Sequence, residues 1–360
     1  MTRPTVSSTG PGPMPGTDPR EAARIVMGEC HGLPFLPELP GRGPGSDQAG
    51  RTLSMLVDLP VDVTPRGWRL SDSRGRLARV AADLLDRDSD ALEEADEQAR
   101  DPETNPTVAE RLLQVRVLGP WSLAAGLELS GGLPVLTDRG ARRDLASSLA
   151  EGVASRSVRL AERLRSGTRV VLDEPLLWRV AAGTVPAPSH FDPVAAVPAE
   201  RLALALSRFA DTLRAAGVDQ VLLRPPTTTA PDSPQFFSAF AEPPRGETPL
   251  DGLVLESEPL YTARAHDALD AAGTVLGDGR ILQLEGAAGP VRSGDAQAGV
   301  ERAASALLAF LDRVTAPRYE SLSQLVLTPT IRRVTTDEVS AARALAAARH
   351  VAETAPRLAE

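Results

Sequence analysis

Asp173 and Glu174 stand side by side at the end of the apolar run Val170–Val171–Leu172, directly before Pro175. A strand buried on both faces reads as a continuous aliphatic run, and a proline stops it because it has no N–H for the ladder. Two carboxylates at such an end can hold a cationic amine, ligate a metal or trade protons, and each task needs a different pKa. Arg224 ends the run from Gln220, Glu256 the run from Gly252, and Glu285 the run from Arg280. In parallel α/β architectures these ends face the ligand site, so Asp173, Glu174, Arg224, Glu256 and Glu285 form the candidate binding set. The competing reading is a satisfied ion network between Arg224 and the acids. Gly119–Pro120–Trp121 follows another strand end, where a tight Gly-Pro turn can offer Trp121 as a flat apolar wall for a ligand or, equally, as core.

Other reactive residue types are sparse. His31, His190, His266 and His350 form no pair at the spacing of a local zinc site, and the single Cys30 excludes an internal disulfide. Cys30 reads as a small buried residue rather than a nucleophile. No Ser lies in a Gly-x-Ser-x-Gly elbow. All 39 basic residues are arginine, which removes Schiff-base chemistry, pyridoxal phosphate attachment and a Walker-type phosphate loop. A net charge of -9 and 3% aromatic residues disfavour a nucleic-acid partner. No run of about 18 apolar residues offers a membrane span, and no signal-like N-terminus is visible, so the expected location is cytoplasmic.

Holding strand-end residues together demands a regular alternation of strands and helices. Periodicity predicts strands over 112–118, 169–173, 220–224, 252–256, 280–285 and 324–328. Helices are predicted over 19–29 and 47–57, from Leu145 to Leu164 and from Leu202 to Leu213, and near 260–272, 296–314 and 336–354. Two more strands fit at Thr5–Ser8 and Leu33–Leu39, although the prolines from Cys30 to Pro40 also read as a structured loop. Eight strands close a (β/α)8 TIM barrel of α/β class in a single domain. An open doubly wound sheet is the alternative, and it lacks a Gly-x-Gly-x-x-Gly. Residues 1–16, rich in Thr, Ser, Gly and Pro, read as a flexible N-terminal arm, and 17–360 as the barrel. The acidic stretch at about 83–107 reads as an exposed helix and loop with a solvated face.

Six blocks taken in order carry a family likeness: Met14–Pro15–Gly16–Thr17–Asp18–Pro19; Glu29 to Pro40 with Arg42–Gly43; Gly50–Arg51–Thr52; Gly119–Pro120–Trp121–Ser122–Leu123; Asp173–Glu174–Pro175; and Thr328–Pro329–Thr330. Together the sequence resembles the catalytic-domain superfamily of cobalamin-independent methionine synthase, kin of uroporphyrinogen decarboxylase, and within it actinobacterial single-domain members. The resemblance implies a barrel in which zinc, held by a His-x-Cys pair, a Glu and a late Cys, activates a thiolate. The thiolate takes a methyl group from a folate in methionine biosynthesis. By position Asp173 matches the acid that holds the substrate's amino group, and Glu256 the zinc-ligand Glu.

The departures fall on the chemistry. Leu222–Leu223–Arg224–Pro225–Pro226 stands where His-x-Cys is expected, and Ile331 where the late Cys is expected. Leu284–Glu285–Gly286 replaces the Asp-Ile-His that supplies the acid/base histidine, and Pro13 replaces a serine. One carboxylate cannot retain zinc against water, and Arg224 at that position repels it. Two functions therefore stay open. One is a divergent methyltransferase-family enzyme with a degenerate zinc site. The other is a non-catalytic small-molecule-binding or regulatory barrel. In both, the expected partner is a small ligand of amino-acid or thiol type, with no nucleic acid, no membrane and no resident cofactor.

Overall fold

The structure is a computed structural model that describes residues 4–100, 111–186, 193–226, 236–242, 245–261, 266–287, 296–330 and 337–359. The chain opens with β1 (Ser7–Ser8), α1 (Pro19–Glu29), α2 (Gln48–Ser54), the hairpin β2 (Val61–Thr64) and β3 (Gly67–Leu70), and α3 (Arg76–Ala99). It continues with β4 (Leu112–Leu118), α4 (Pro120–Gly126), α5 (Arg139–Arg163), β5 (Gly167–Asp173), α6 (Leu177–Ala182), α7 (Ala199–Ala215), β6 (Gln220–Arg224), α8 (Ser238–Ala241) and β7 (Gly252–Glu256). The last third holds α9 (Ser257–Tyr261), α10 (His266–Gly277), β8 (Ile281–Glu285), α11 (Ala296–Arg313), α12 (Arg318–Ser321), β9 (Leu325–Thr328) and α13 (Glu338–Leu358). Helix starts follow from local chemistry. Asp18, Asp47, Asp138 and Asp337 each accept a backbone N–H of the first turn, which supplies a partner that the helix itself cannot.

Seven parallel strands form one curled sheet in the order β4, β5, β6, β7, β8, β9, β1. Each strand lies beside its successor in the chain, and β1 lies beside the last, which is the order of a closing ring. Residues 34–38 fill the eighth station. On one side the Leu36 N–H donates to the Gln114 carbonyl at 3.0 Å and the Gln114 N–H to the Pro34 carbonyl at 2.8 Å. On the other, the Glu38 N–H donates to the Gly12 carbonyl at 2.9 Å and the Met14 N–H to the Glu38 carbonyl at 2.7 Å. Pro34 and Pro37 have no N–H, so the station carries bridges rather than a continuous ladder. The architecture is the expected α/β barrel.

Two expectations require correction. The Pro- and Gly-rich start does not form an arm over residues 7–14: β1 pairs with β9, and Thr9, Gly10, Gly12 and Met14 are buried. Burial against the barrel outweighs a composition that gives little apolar area of its own. Nor is the acidic stretch of α3 solely a solvated face. Asp88 is 0% exposed and accepts from Arg42 and Arg51, while Asp96, 1% exposed, pairs with Arg100 and Arg111. The hairpin β2/β3 was not predicted, because four-residue strands give the period-2 pattern too few repeats to register.

Apolar packing is divided between two places. The larger core lies between sheet and helices, while inside the ring Val171, Leu222 and Val254, with Ile281 beside them, form a small apolar layer. Burying each of these contributes roughly 1.5–3 kcal/mol. Polar side chains occupy the ring above and below that layer, and the upper set is the candidate site. No helix among the described residues is long and apolar enough to cross a membrane.

Candidate functional site at the barrel mouth

Alternation along each strand decides what the mouth presents. On β5, Val171 faces into the ring, so Asp173, two residues on, faces in at its upper end. The same step carries β6 from Leu222 to Arg224 and β7 from Val254 to Glu256. The strand register sets Asp173 beside Arg224 and Glu256 beside Glu285. Into this ring projects Arg116 of β4, alternating with the outward Val115 and Val117.

Arg116 links opposite sides of the barrel. Its Nη2 donates to Asp173 Oδ1 at 2.6 Å, its Nε to Asp173 Oδ2 at 3.0 Å, and its Nη1 to Glu285 Oε1 at 2.8 Å. Arg224 completes the network, donating from Nε to Glu285 Oε2 at 2.8 Å, with its Nη2 2.6 Å from the same oxygen as an ion pair. Gln48 Nε2 of α2 donates to Asp173 Oδ2. Both oxygens of Asp173 are therefore engaged by the protein's own donors. Glu256 stands at the rim with its side chain 44% exposed, 4.0 Å from Arg224 Nη2. Glu38, at the end of the eighth station, lies beside the stem of Arg116: a Cβ built on Gly12 would have Arg116 Cδ and a Glu38 oxygen both at 3.2 Å.

The electrostatics follow from this pairing. Burial alone would push the Arg116 pKa down, but the Asp173 and Glu285 carboxylates outweigh it and raise it above the usual arginine range. Burial would likewise raise Glu285, and Arg116 and Arg224 together hold it at about 2.

Glu174 and Trp121 belong to a neighbouring layer. The Glu174 side chain accepts the backbone N–H of Trp121 at 3.0 Å and of Ser122 at 2.6 Å, anchoring the first turn of α4. Burial pushes its carboxyl up to about 7 against the pull of Ser122 and those N–H groups. Gly119–Pro120 starts a helix here rather than making the expected tight turn, with Gly119 at the N-cap and Pro120 at the first helical position. Gly119 is required because a Cβ would collide with the Glu174 carboxylate. Trp121 is half-buried against the outer core, with the Arg142 guanidinium 5.7 Å from its ring centroid.

The structure thus brings Asp173, Arg224, Glu285 and, at the rim, Glu256 together, and sets Glu174 and Trp121 outside them. Sequence reasoning missed Arg116, Gln48 and Glu38. Arg116 had a usable signal: in Leu112–Leu118 the polar Gln114 and Arg116 alternate with Leu113, Val115 and Val117, which is how a strand places two polar residues inside a ring. His31, His266 and His350 are exposed, and His190 and Ile331 lie outside the described residues. Burial pushes the Cys30 thiol up to about 12, so it supplies no thiolate.

These donors do not fit a zinc ion. A cation ligated by Glu256 would sit against the Arg224 guanidinium, and neither imidazole nor thiolate is beside it among the described residues. Among those residues no group of three or more His, Cys, Asp or Glu is arranged to hold a metal.

No protein-family model matches the sequence, and no curated protein matches it. Among solved structures the chain is similar to a methyltransferase from Methanosarcina mazei, with 12% identity, 96% of this chain and 93% of that chain covered, and a TM-score of 0.46. It is also similar to a GH5-4 broad-specificity endoglucanase from an uncultured bacterium, with 11% identity, 97% and 94% covered, and a TM-score of 0.39.

Proposed function

We propose that the barrel mouth binds a small zwitterionic ligand of the amino-acid class, and that zinc-activated methyl transfer to a thiol is not its chemistry. The observation behind this reading is the adjacent pair of opposite charges at the rim. Arg224, whose Nε and Nη2 face Glu285, has its Nη1 to meet a ligand carboxylate, and the half-exposed Glu256 is the group to meet its ammonium. Asp173, by resemblance the ammonium clamp, is here a positioning residue for Arg116, because Gln48 and Arg116 occupy its oxygens. The reading needs no resident metal or folate. It makes the chain a binding barrel that keeps the scaffold of a methionine-synthase-like protein without its metal chemistry.

Two measurements on the purified full chain test it: zinc content by elemental analysis, and calorimetric titration with homocysteine, methionine and methioninamide. The expected result is zinc far below one ion per chain, binding of both amino acids, and weaker binding of the amide, which lacks the carboxylate. Glu256→Gln should weaken the amino acids about tenfold, the effect of losing one charge-assisted hydrogen bond. Failure of both amino acids to bind overturns the binding reading. Near-stoichiometric zinc, or methyl transfer from a methyl-folate to homocysteine, replaces it with the methyltransferase reading.

A further inference from the structure

Away from the mouth, α5 packs closely on the chain that follows α2: a Cβ on Gly152 would collide with the Met55 carbonyl oxygen, and Ser148 Oγ donates to the Val57 carbonyl at 2.6 Å. From Arg156 onward the space between α5 and α3 is open, as a cavity of about 250 Å3. Leu36 of the eighth station, Val115 of β4, Met55, Leu85 of α3 and Leu160 of α5 give it an apolar lining. Within that lining Ser157 is 2% exposed, and its Oγ has no hydrogen-bond partner among the described residues. A buried hydroxyl without a partner is left desolvated and uncompensated, so a group that can accept or donate there is favoured.

The rim is built of guanidinium groups. Arg156, Arg159 and Arg163 recur at i, i+3 and i+7 of α5 and so share one face. Arg156 reaches across to Asp86, and Arg163 to Glu93 and, at 2.7 Å, to Asp90. These pairs are partly or largely exposed, and such pairs exchange partners at little cost. Arg159 is exposed and has no carboxylate partner among the described residues. Asp86, Asp90 and Glu93 thus balance Arg156 and Arg163, and Arg159 is the rim cation left for a ligand.

We propose that this cavity is a second binding site, for an amphipathic monocarboxylate whose apolar body lies between α3 and α5. Its carboxylate is held at the α5 edge by the Ser157 hydroxyl and the rim arginines, with Arg159 as the uncommitted cation. Size sets the class: an apolar cavity of about 150 Å3 holds benzene, so one of about 250 Å3 takes a chain of roughly eight carbons. The apolar part of the lining disfavours a small inorganic anion, and Arg159, the rim cation without a carboxylate partner among the described residues, disfavours an amine. The site is independent of the mouth, since no residue of the ion network lines it.

Titration of the full chain with octanoate, 1-octanol and octylamine, followed by calorimetry, tests the proposal. Octanoate should bind more tightly than octanol, and octylamine should not bind. Arg159→Glu, an exposed change that leaves packing intact, should weaken octanoate about fivefold, since it replaces one exposed attraction by a repulsion. Ser157→Leu, which fills the cavity, should abolish binding, and a thermal unfolding scan confirms that this variant is folded. No octanoate binding, octylamine binding as tightly as octanoate, or unchanged affinity in Arg159→Glu overturns the proposal.

Discussion

Two arginines inside the barrel have pKa values shifted in opposite directions. At the mouth, Arg116 (side chain 6% exposed) meets Asp173 and Glu285, and its pKa is raised. At the floor, Arg169 (whole residue 5% exposed) makes one side-chain hydrogen bond among the described residues, from Nε to Gln220 Oε1 at 2.8 Å, and burial lowers its pKa to about 10. Burial acts in the same sense on both, so the difference lies in the carboxylates within reach. The mouth is therefore a place where charge is organised rather than merely tolerated. For the binding function proposed above, a ligand would meet groups already held in position by their neighbours, which limits the ordering cost of binding.

The sharpest way to break this comparison is Arg116→Met. It leaves two carboxylates buried without their main cation, and breaking a buried pair by removing one partner costs about 3–5 kcal/mol. Urea unfolding measures it. A loss below about 1 kcal/mol would mean that Arg116 is no better placed than Arg169, and the mouth network would lose its claim to be a built site. Replacing Arg116, Asp173, Arg224 and Glu285 together by apolar residues of similar volume should restore much of the loss, since a well-packed apolar set can match a buried ion network once no charge is left without its partner.

How far the sequence reaches is decided by the same alternation. Strand ends at Asp173, Arg224, Glu256 and Glu285 were legible because a buried parallel strand writes a continuous apolar run that ends where the polar mouth begins. Arg116 was hidden because it lies two residues inside its run, where a charge reads as an interruption. Gln48 reaches Asp173 from a helix 125 residues earlier, a contact that no local pattern encodes. Asp88 and Asp96 sat in a string of acids, and nothing in a charge run marks which members will find Arg42, Arg51, Arg100 and Arg111. The N-terminal residues 7–14 show the reverse failure: their composition argues for disorder, and only β9 and the eighth station, far along the chain, give them partners.

Two carboxylates sharpen the contrast through pH. Glu285, held at about 2, lies below the usual carboxylate value of 4.5, so its contribution is present above pH 4.5 and is lost as pH falls toward 2. Glu174, raised to about 7, behaves oppositely. Between pH 4.5 and 7 the folded chain holds a proton there that the unfolded chain has released, so its contribution is present below pH 4.5 and is lost as pH rises through 7. Unfolding free energies measured at intervals over pH 4.5–7.5 should show a fall that Glu174→Gln flattens, by about 3 kcal/mol across the window. A variant curve parallel to that of the unchanged protein would show that the N–H groups of Trp121 and Ser122 outweigh burial.

The smallest effect belongs to the floor. Arg169→Met removes one hydrogen bond to Gln220, worth about 1 kcal/mol, and also removes a guanidinium whose Nη1 has no partner among the described residues. These changes oppose each other, and methionine is unbranched and flexible enough to fill the space over the Val171 and Leu222 layer. The expected change in unfolding free energy is within about 1 kcal/mol of zero, against the several lost with Arg116→Met. Urea unfolding of the two variants side by side decides the matter. If Arg169→Met costs as much as Arg116→Met, then the floor guanidinium is held by something as strong as the carboxylates of the mouth. The unsatisfied Nη1 would then mark a bound anion rather than a charge stranded by burial.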